Sequence, residues 1–165
     1  MISVAVIGGG ASGMAFAVAL KQKRPDIEVT VFEKNPKVLK KILVTGNGRC
    51  NILNFDAVAE NYFEACEFVR PAVEKYAPKK TEAIFRDMGL LLMSEQEGRA
   101  YPISQTAASV VCVLSSAAER AGVKVFTDTP VKSIKESQGR FVINNDKSFN
   151  FAVIACGGAA APKKG

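Results

Sequence analysis

Gly8, Gly10 and Gly13 stand in the spacing G-x-G-x-x-G, and a carboxylate, Glu33, follows twenty residues after the last of them. Glycines so spaced, between a strand and a helix, let backbone N–H groups and the positive end of the helix face a diphosphate. Gly8 suits the tight turn, Gly10 a close backbone approach to a pyrophosphate, and Gly13 close packing of helix on strand. A carboxylate at the end of the next strand accepts hydrogen bonds from a ribose 2′-OH and repels a 2′-phosphate. The nucleotide implied is therefore the adenosine of FAD or NAD and not of NADP. Taken alone the hexapeptide is also compatible with a glycine-rich turn in any α/β protein. Glu33, in its spacing, makes that reading the weaker one.

A second segment, Thr45-Gly46-Asn47-Gly48-Arg49-Cys50-Asn51, combines two glycines with an arginine. Such a loop can wrap a ligand and offer it a planar positive fork; an irregular surface turn is the alternative. The basic residues concentrate around it. Residues 21–50 carry eight Lys/Arg against three Asp/Glu, close to the whole chain's net charge of +6. Nucleic-acid binding is the less favoured explanation, because only Phe32 supplies an aromatic ring among those cations. The 165 residues contain no His, which excludes a Ser-His-Asp triad, a Cys-His nucleophile pair and His-ligated zinc. Cys50, Cys66, Cys112 and Cys156 form no C-x-x-C pair, so no metal site is expected and each thiol reads as buried filler.

The elements that must position these residues follow from hydrophobic patterning. Residues 2–7 read as a buried strand, Ser12 to Lys23 as a buried helix ended at Pro25-Asp26, and Ile27 to Glu33 as a second strand. Together they make one βαβ unit. The uncharged run Met1–Leu20 is broken by glycines and has no basic lead, so a soluble, cytoplasmic protein is expected, with no membrane partner. Residues 34–54 show no period and read as a functional loop. Helical patterns follow at 57–76 and 80–88, punctuated by Pro71 and Pro78. Leu90–Met93 reads as a strand, Gly98–Pro102 as a turn, and 104–121 as a helix stopped by Gly122. Strands are expected at 123–126, 130–136, 140–144 and 149–155. The fold class is α/β, a Rossmann-like domain over residues 1–165. Its parallel sheet has flanking helices and an antiparallel β element near 123–144.

Five segments in this order are more specific than the glycine fingerprint: Gly8–Gly13, Glu33-Lys34, Lys41 to Asn51, Gly98-Arg-Ala-Tyr-Pro-Ile-Ser, and Ile154-Ala-Cys-Gly-Gly. Nearly the whole chain resembles the bacterial YhiN/HI0933-like flavoproteins, whose relatives include BaiN-type reductases and proteins labelled aminoacetone oxidases. The resemblance implies FAD as cofactor, a small-molecule substrate, oxidoreductase activity and NAD(P)H as a candidate reductant. Carried onto this sequence, Gly8, Gly10, Ala11, Ser12 and Gly13 would cradle the pyrophosphate. Glu33, with Lys34 beside it, would hold the adenosine ribose. Lys41, Thr45, Gly46, Gly48, Arg49, Cys50 and Asn51 would line the flavin side. Val131 would meet the adenine through its backbone, and Cys156, Gly157 and Gly158 would approach the cofactor from a strand end.

Three positions depart from the family pattern. Leu39 stands where a glycine commonly precedes the basic pair, Cys156 replaces the usual Thr, and Lys164 stands where Thr is frequent. Family members continue into an inserted substrate-side domain and a C-terminal return. The chain is therefore expected to be the N-terminal portion of a longer architecture, with its catalytic groups elsewhere. The alternative is a non-catalytic nucleotide-binding or interaction module. It would self-associate, or receive a second polypeptide, through the face left uncovered.

Overall fold

The computed structural model describes residues 1–158; the resemblance noted for 159–165, Lys164 included, lies outside them. In chain order the elements are β1 (Ser3–Ile7), α1 (Ala11–Lys23), β2 (Glu28–Phe32), β3 (Leu53–Asn54), α2 (Cys66–Lys75), α3 (Pro78–Asp87), β4 (Leu92–Ser94), β5 (Arg99–Pro102), α4 (Ala107–Arg120), β6 (Lys124–Phe126), β7 (Ile134–Ser137), β8 (Arg140–Ile143), β9 (Lys147–Phe149) and β10 (Phe151–Ile154). Tight 3-10 turns occupy Lys40–Gly48, Ala59–Ala65 and Gln96–Gly98. No helix among the described residues is long and apolar enough to cross a membrane.

The chain divides into two compact units, one of residues 1–42 with the stretch from Leu114 on, the other of residues 43–113. In the first, four parallel strands lie in the order β10-β1-β2-β6. All five residues of β1 are buried. A strand covered on both faces reads as a continuous apolar run, which is why no polar alternation appears at 3–7. Helix α1 packs on β1 and β2 and buries Gly13, Met14, Ala17 and Val18. The antiparallel sheet β7-β8-β9 contributes Ile143 and Phe149 to a cluster with Ala5, Ile7 and Phe32, against which Val131 and Ala152 pack. Phe32 stacks on Phe126 at 5.9 Å and meets Phe149 edge-on at 5.8 Å. At the base of β1, Ser3 donates its N–H to Asn150 Oδ1 at 2.9 Å.

In the second unit β5 is the centre of a three-stranded antiparallel sheet, β3-β5-β4. Residues 99–102, expected as a turn, are thus a strand. Ala100 and Tyr101 are buried, Pro102 sits at the strand end where a missing N–H is tolerated, and the turn is left to Gly98 with φ +70°. Leu53–Asn54 fell within the stretch read as loop, since two residues are too few to show a period. The helical pattern at 57–76 resolves into a 3-10 segment, kinked at Phe63 with φ +46°, followed by α2. Pro71 lies inside α2, whereas Pro78 opens α3 at its first position.

The remaining differences are small. Strand β6 joins the parallel sheet, so the antiparallel element covers Ile134–Phe149. Residues 130–133 precede β7 without joining it. In α4 the buried positions Ala107, Val110, Leu114, Ala117 and Ala118 form the helical stripe. Cys112 falls off that stripe and is exposed, as is Cys156 past the end of β10; Cys66 is half-buried, and only Cys50 is the buried filler expected of all four.

Leu39 shows why its position favours glycine. Its φ is +61°, a left-handed conformation that costs an L-residue ~1–2 kcal/mol. The strain is held by burial of its side chain to 1% exposure and by donation of its N–H to the Gly9 carbonyl at 2.7 Å. Leu39→Gly and Leu39→Ala both lose that burial, but only glycine relieves the backbone. Urea unfolding should therefore find the glycine variant about 1 kcal/mol more stable than the alanine variant. Equal stabilities, or a more stable alanine variant, would contradict a strained Leu39.

Candidate functional site

The ends of β1, β2 and β10 converge at the glycine turn. Gly8 has φ +110°, and a methyl group there would press on the Ala155 carbonyl. Its N–H donates to Phe32 O at 2.8 Å, while the Ala155 N–H donates to Ile7 O at 2.8 Å. A methyl on Gly13 would strike the Gly8 carbonyl oxygen, so α1 can lie this close to β1 only with glycine there. Gly10 differs. It is the residue before α1, no side chain caps the helix, and its first turn holds no acid. A methyl on Gly10 would meet nothing within 4 Å. Glycine at that position leaves open space and fills no packing need. Ala11 and Ser12 are exposed at the helix start, where N–H groups and the helix dipole favour an anion.

Glu33 is 7% exposed. Its Oε2 accepts the Gly9 N–H at 2.8 Å, and its Oε1 accepts the Asn35 N–H at 2.8 Å and the Asn35 side-chain amide at 2.7 Å. Charge-assisted bonds of this kind contribute ~1.5–3 kcal/mol each. The carboxylate thus holds the glycine turn in shape, a role that sequence reasoning missed; the run of three glycines was the available signal. A methyl on Gly9 would stand 2.6 Å from Val38 Cγ1 and 3.1 Å from Glu33 Cβ. The Glu33 backbone is gripped as well, its N–H donating to Phe126 O and its C=O accepting from Thr129 N–H, both at 2.8 Å. Lys34 is exposed beside it. Two residues beyond Thr129, Val131 is half-buried. Among the described residues its N–H and C=O have no hydrogen-bond partner.

At the end of β10, Cys156, Gly157 and Gly158 are exposed. Gly157 has φ +78°, and a methyl there would stand 3.6 Å from Lys41 Nζ. The first unit therefore brings together Gly8, Gly10, Ala11, Ser12, Gly13 and Glu33, and separately Lys41 with Gly157.

Thr45 to Asn51 belong to the second unit. Gly46, Asn47 and Gly48 have φ of 53°, 54° and 82°, and Cys50 has φ of 63°. The turn closes through Arg49 N–H to Gly46 O and Cys50 N–H to Thr45 O, both at 3.1 Å. Thr45, Gly46, Gly48 and Asn51 are exposed, whereas Cys50 is buried. The Arg49 guanidinium lies 4.0 Å above the Tyr101 ring. Its Nη1 also reaches Glu95 Oε1 at 2.8 Å and Gln105 Oε1 at 3.0 Å. One nitrogen of the fork, Nη1, is thus engaged within its own unit. This gives Tyr101, whose segment had no assigned role, the task of shelving Arg49. A pairing of β5 with the loop's exit completes it, Ile52 N–H donating to Ala100 O at 2.9 Å.

The HI0933-like protein Rossmann domain model matches residues 2–165. The chain is 37% identical over 169 residues to a 3-dehydro-bile acid delta(4,6)-reductase of Clostridium scindens, covering 100% of this chain and 41% of that protein. It is 26% identical over 168 residues to a ribosomal RNA dihydrouridine synthase of Haemophilus influenzae, covering 97% of this chain and 41% of that protein. The crystal structure of CtdE in complex with FAD and substrate 4 has the same fold, with TM-score 0.54 and 16% identity over 95% of this chain and 38% of that one. The chain thus spans about two fifths of the length of the curated relatives it matches.

Two expectations follow from the geometry. Gly13→Ala should lower stability by about 1–3 kcal/mol, because a backbone oxygen must move. Gly10→Ala, facing open space, should cost less than about 1 kcal/mol; thermal melts that rank the two the other way would refute the packing assignment. In the second unit, Tyr101→Phe keeps the ring under Arg49 and should cost under about 1 kcal/mol. Tyr101→Ala, which also empties a buried site, should cost about 3 kcal/mol or more by urea unfolding. Similar costs for both would remove the ring's role.

Proposed function

Because the chain belongs to the HI0933-like protein Rossmann domain family, we propose that it is the FAD-binding portion of a flavin-dependent oxidoreductase, both of its compact units serving that one domain. The observation that carries the reading is Gly10. Its missing side chain opens space directly before an α1 start that no side chain caps. Gly8, Gly10, Ala11, Ser12 and Gly13 hold the pyrophosphate, Glu33 with Lys34 the ribose, and the Val131 backbone the adenine. Glu33 Oε1 accepts both Asn35 bonds, whereas Oε2 accepts only that from Gly9, so through Oε2 the carboxylate can hold the turn and still accept a ribose hydroxyl. Lys41, Thr45, Gly46, Gly48, Arg49, Cys50, Asn51, Cys156, Gly157 and Gly158 are assigned to the cofactor on the family resemblance. Juxtaposition of Lys41 and Gly157 supports two of them.

Bound FAD supplies hydride or electron transfer, while the chain binds and orients it. The relatives' names, a delta(4,6)-reductase and a dihydrouridine synthase, both denote addition of hydrogen across a carbon–carbon double bond. They support a reductive role for the longer protein, with NAD(P)H as candidate reductant. A cytoplasmic location fits the use of the uncharged opening run to build β1 and α1.

Titration of FAD with the protein should quench flavin fluorescence, and ADP should compete for the same site. Gly10→Ala should weaken both ligands at least about tenfold while lowering the melting temperature by no more than about 5 °C. Unchanged flavin fluorescence, together with no ADP heat in calorimetry, would overturn the reading.

A further inference from the structure

We propose that Asn144 sets the base preference of the nucleotide site, by holding the peptide at Val131 in the conformation that reads adenine; the proposal rests on the nucleotide reading above. Asn144 Oδ1 accepts the Lys132 N–H at 2.8 Å and the Ser133 N–H at 3.3 Å. Its Nδ2 donates to the Pro130 carbonyl at 2.9 Å, and its own N–H donates to Ser133 O at 2.9 Å. One side chain therefore grips the backbone on both sides of Val131, while among the described residues the Val131 N–H and C=O have no hydrogen-bond partner. The Val131 side chain is meanwhile seated against the cluster of Ala5, Ile7, Phe32, Ile143 and Phe149. A peptide held at its flanks and at its side chain, with donor and acceptor left over, is a fixed recognition edge.

The segment is also in the right place. Thr129 N–H donates to Glu33 O at 2.8 Å, and Asp128 N–H donates to Asn35 O at 3.1 Å, so the chain leading to Val131 runs alongside the ribose carboxylate. A peptide N–H and C=O pair matches adenine, whose N1 accepts and whose 6-amino group donates. Hypoxanthine presents the opposite pattern at that edge, an N1–H donor and an O6 acceptor, and leaves both peptide groups mispaired.

Turn chemistry accounts for asparagine at 144 only in part. Asn144 and Asn145, with φ of 53° and 58°, form the type I′ turn between β8 and β9, closed by Asp146 N–H to Ile143 O at 3.0 Å. Glycine would make that turn equally well. It cannot reach Pro130, Lys132 or Ser133. Asn144→Gly therefore removes the clamp while keeping the hairpin.

The test compares ADP with inosine diphosphate by calorimetry; the two share ribose and diphosphate and differ in the base. The wild-type chain should prefer ADP by about tenfold or more. In Asn144→Gly, ADP should weaken about tenfold while inosine diphosphate changes by less than about twofold, so that the preference collapses. Hydrogen exchange on the wild-type chain provides a measurement independent of any variant. The Lys132 amide should be protected in the free protein, and the Val131 amide should become protected with ADP but not with inosine diphosphate. An unchanged preference in Asn144→Gly, a parallel loss of both nucleotides, or an unprotected Lys132 amide overturns the proposal. A wild-type chain that binds both nucleotides equally overturns it while sparing the nucleotide reading, and one that binds neither overturns both.

Discussion

A carboxylate taken out of water must find donors, or it costs several kcal/mol. Glu33 finds three, from Gly9, the Asn35 backbone and the Asn35 side chain. Much of the first unit's upper edge depends on that demand. The bond to Gly9 draws the glycine turn onto the end of β2, and the bonds to Asn35 turn the chain away from the sheet. The backbone bonds of Glu33 to Phe126 and Thr129 fix the path toward Val131. A residue read from spacing as a ribose ligand is therefore also the support of the glycine turn. The two roles are compatible because a carboxylate has more acceptor positions than the turn uses.

The second recurring constraint is left-handed backbone. Leu39, Asn47 and Cys50 all have positive φ without being glycine. At Leu39 and Cys50 that conformation costs free energy that local propensity does not recover, whereas asparagine tolerates it more readily. At Leu39 the compensation is a buried side chain and a bond to Gly9. Around Asn47 and Cys50 it is the turn's own hydrogen bonds, with Arg49 laid on Tyr101 and tied to Glu95. Here the Gly98-Arg-Ala-Tyr-Pro segment finds its physical reason: β5 supplies both the aromatic shelf and the edge on which the loop's exit pairs.

What could be read directly lies in short windows of sequence. Apolar runs at 3–7 and 28–32, the helical stretch between them and the glycine spacing each need only a few consecutive residues. They suffice for the βαβ unit, the parallel sheet and the glycine turn between β1 and α1. The roles of Gly8 and Gly13 are legible for the same reason, since a tight turn and a close helix crossing are local demands. Even Leu39 announced itself as a departure from pattern, although its cost and compensation did not.

The tertiary structure decided which distant partners those windows would meet. Arg49 and Glu95 are 46 residues apart, Gly9 and Glu33 are 24 apart, and Asn144 returns 14 residues to Pro130. Nothing in the residues near Arg49 predicts that its Nη1 bonds Glu95 and Gln105, or that Tyr101 lies beneath it. Nothing near Asn144 distinguishes a turn asparagine from a clamp. Likewise the strand at 99–102 could not be told from a turn until β3 and β4 were seen on either side of it. Periodicity and turn chemistry act through neighbouring φ and ψ angles, so the sequence carries them openly. Hydrogen-bond partners and strand neighbours depend on chain closure over tens of residues, and only the folded chain selects among the many donors and acceptors of matching type.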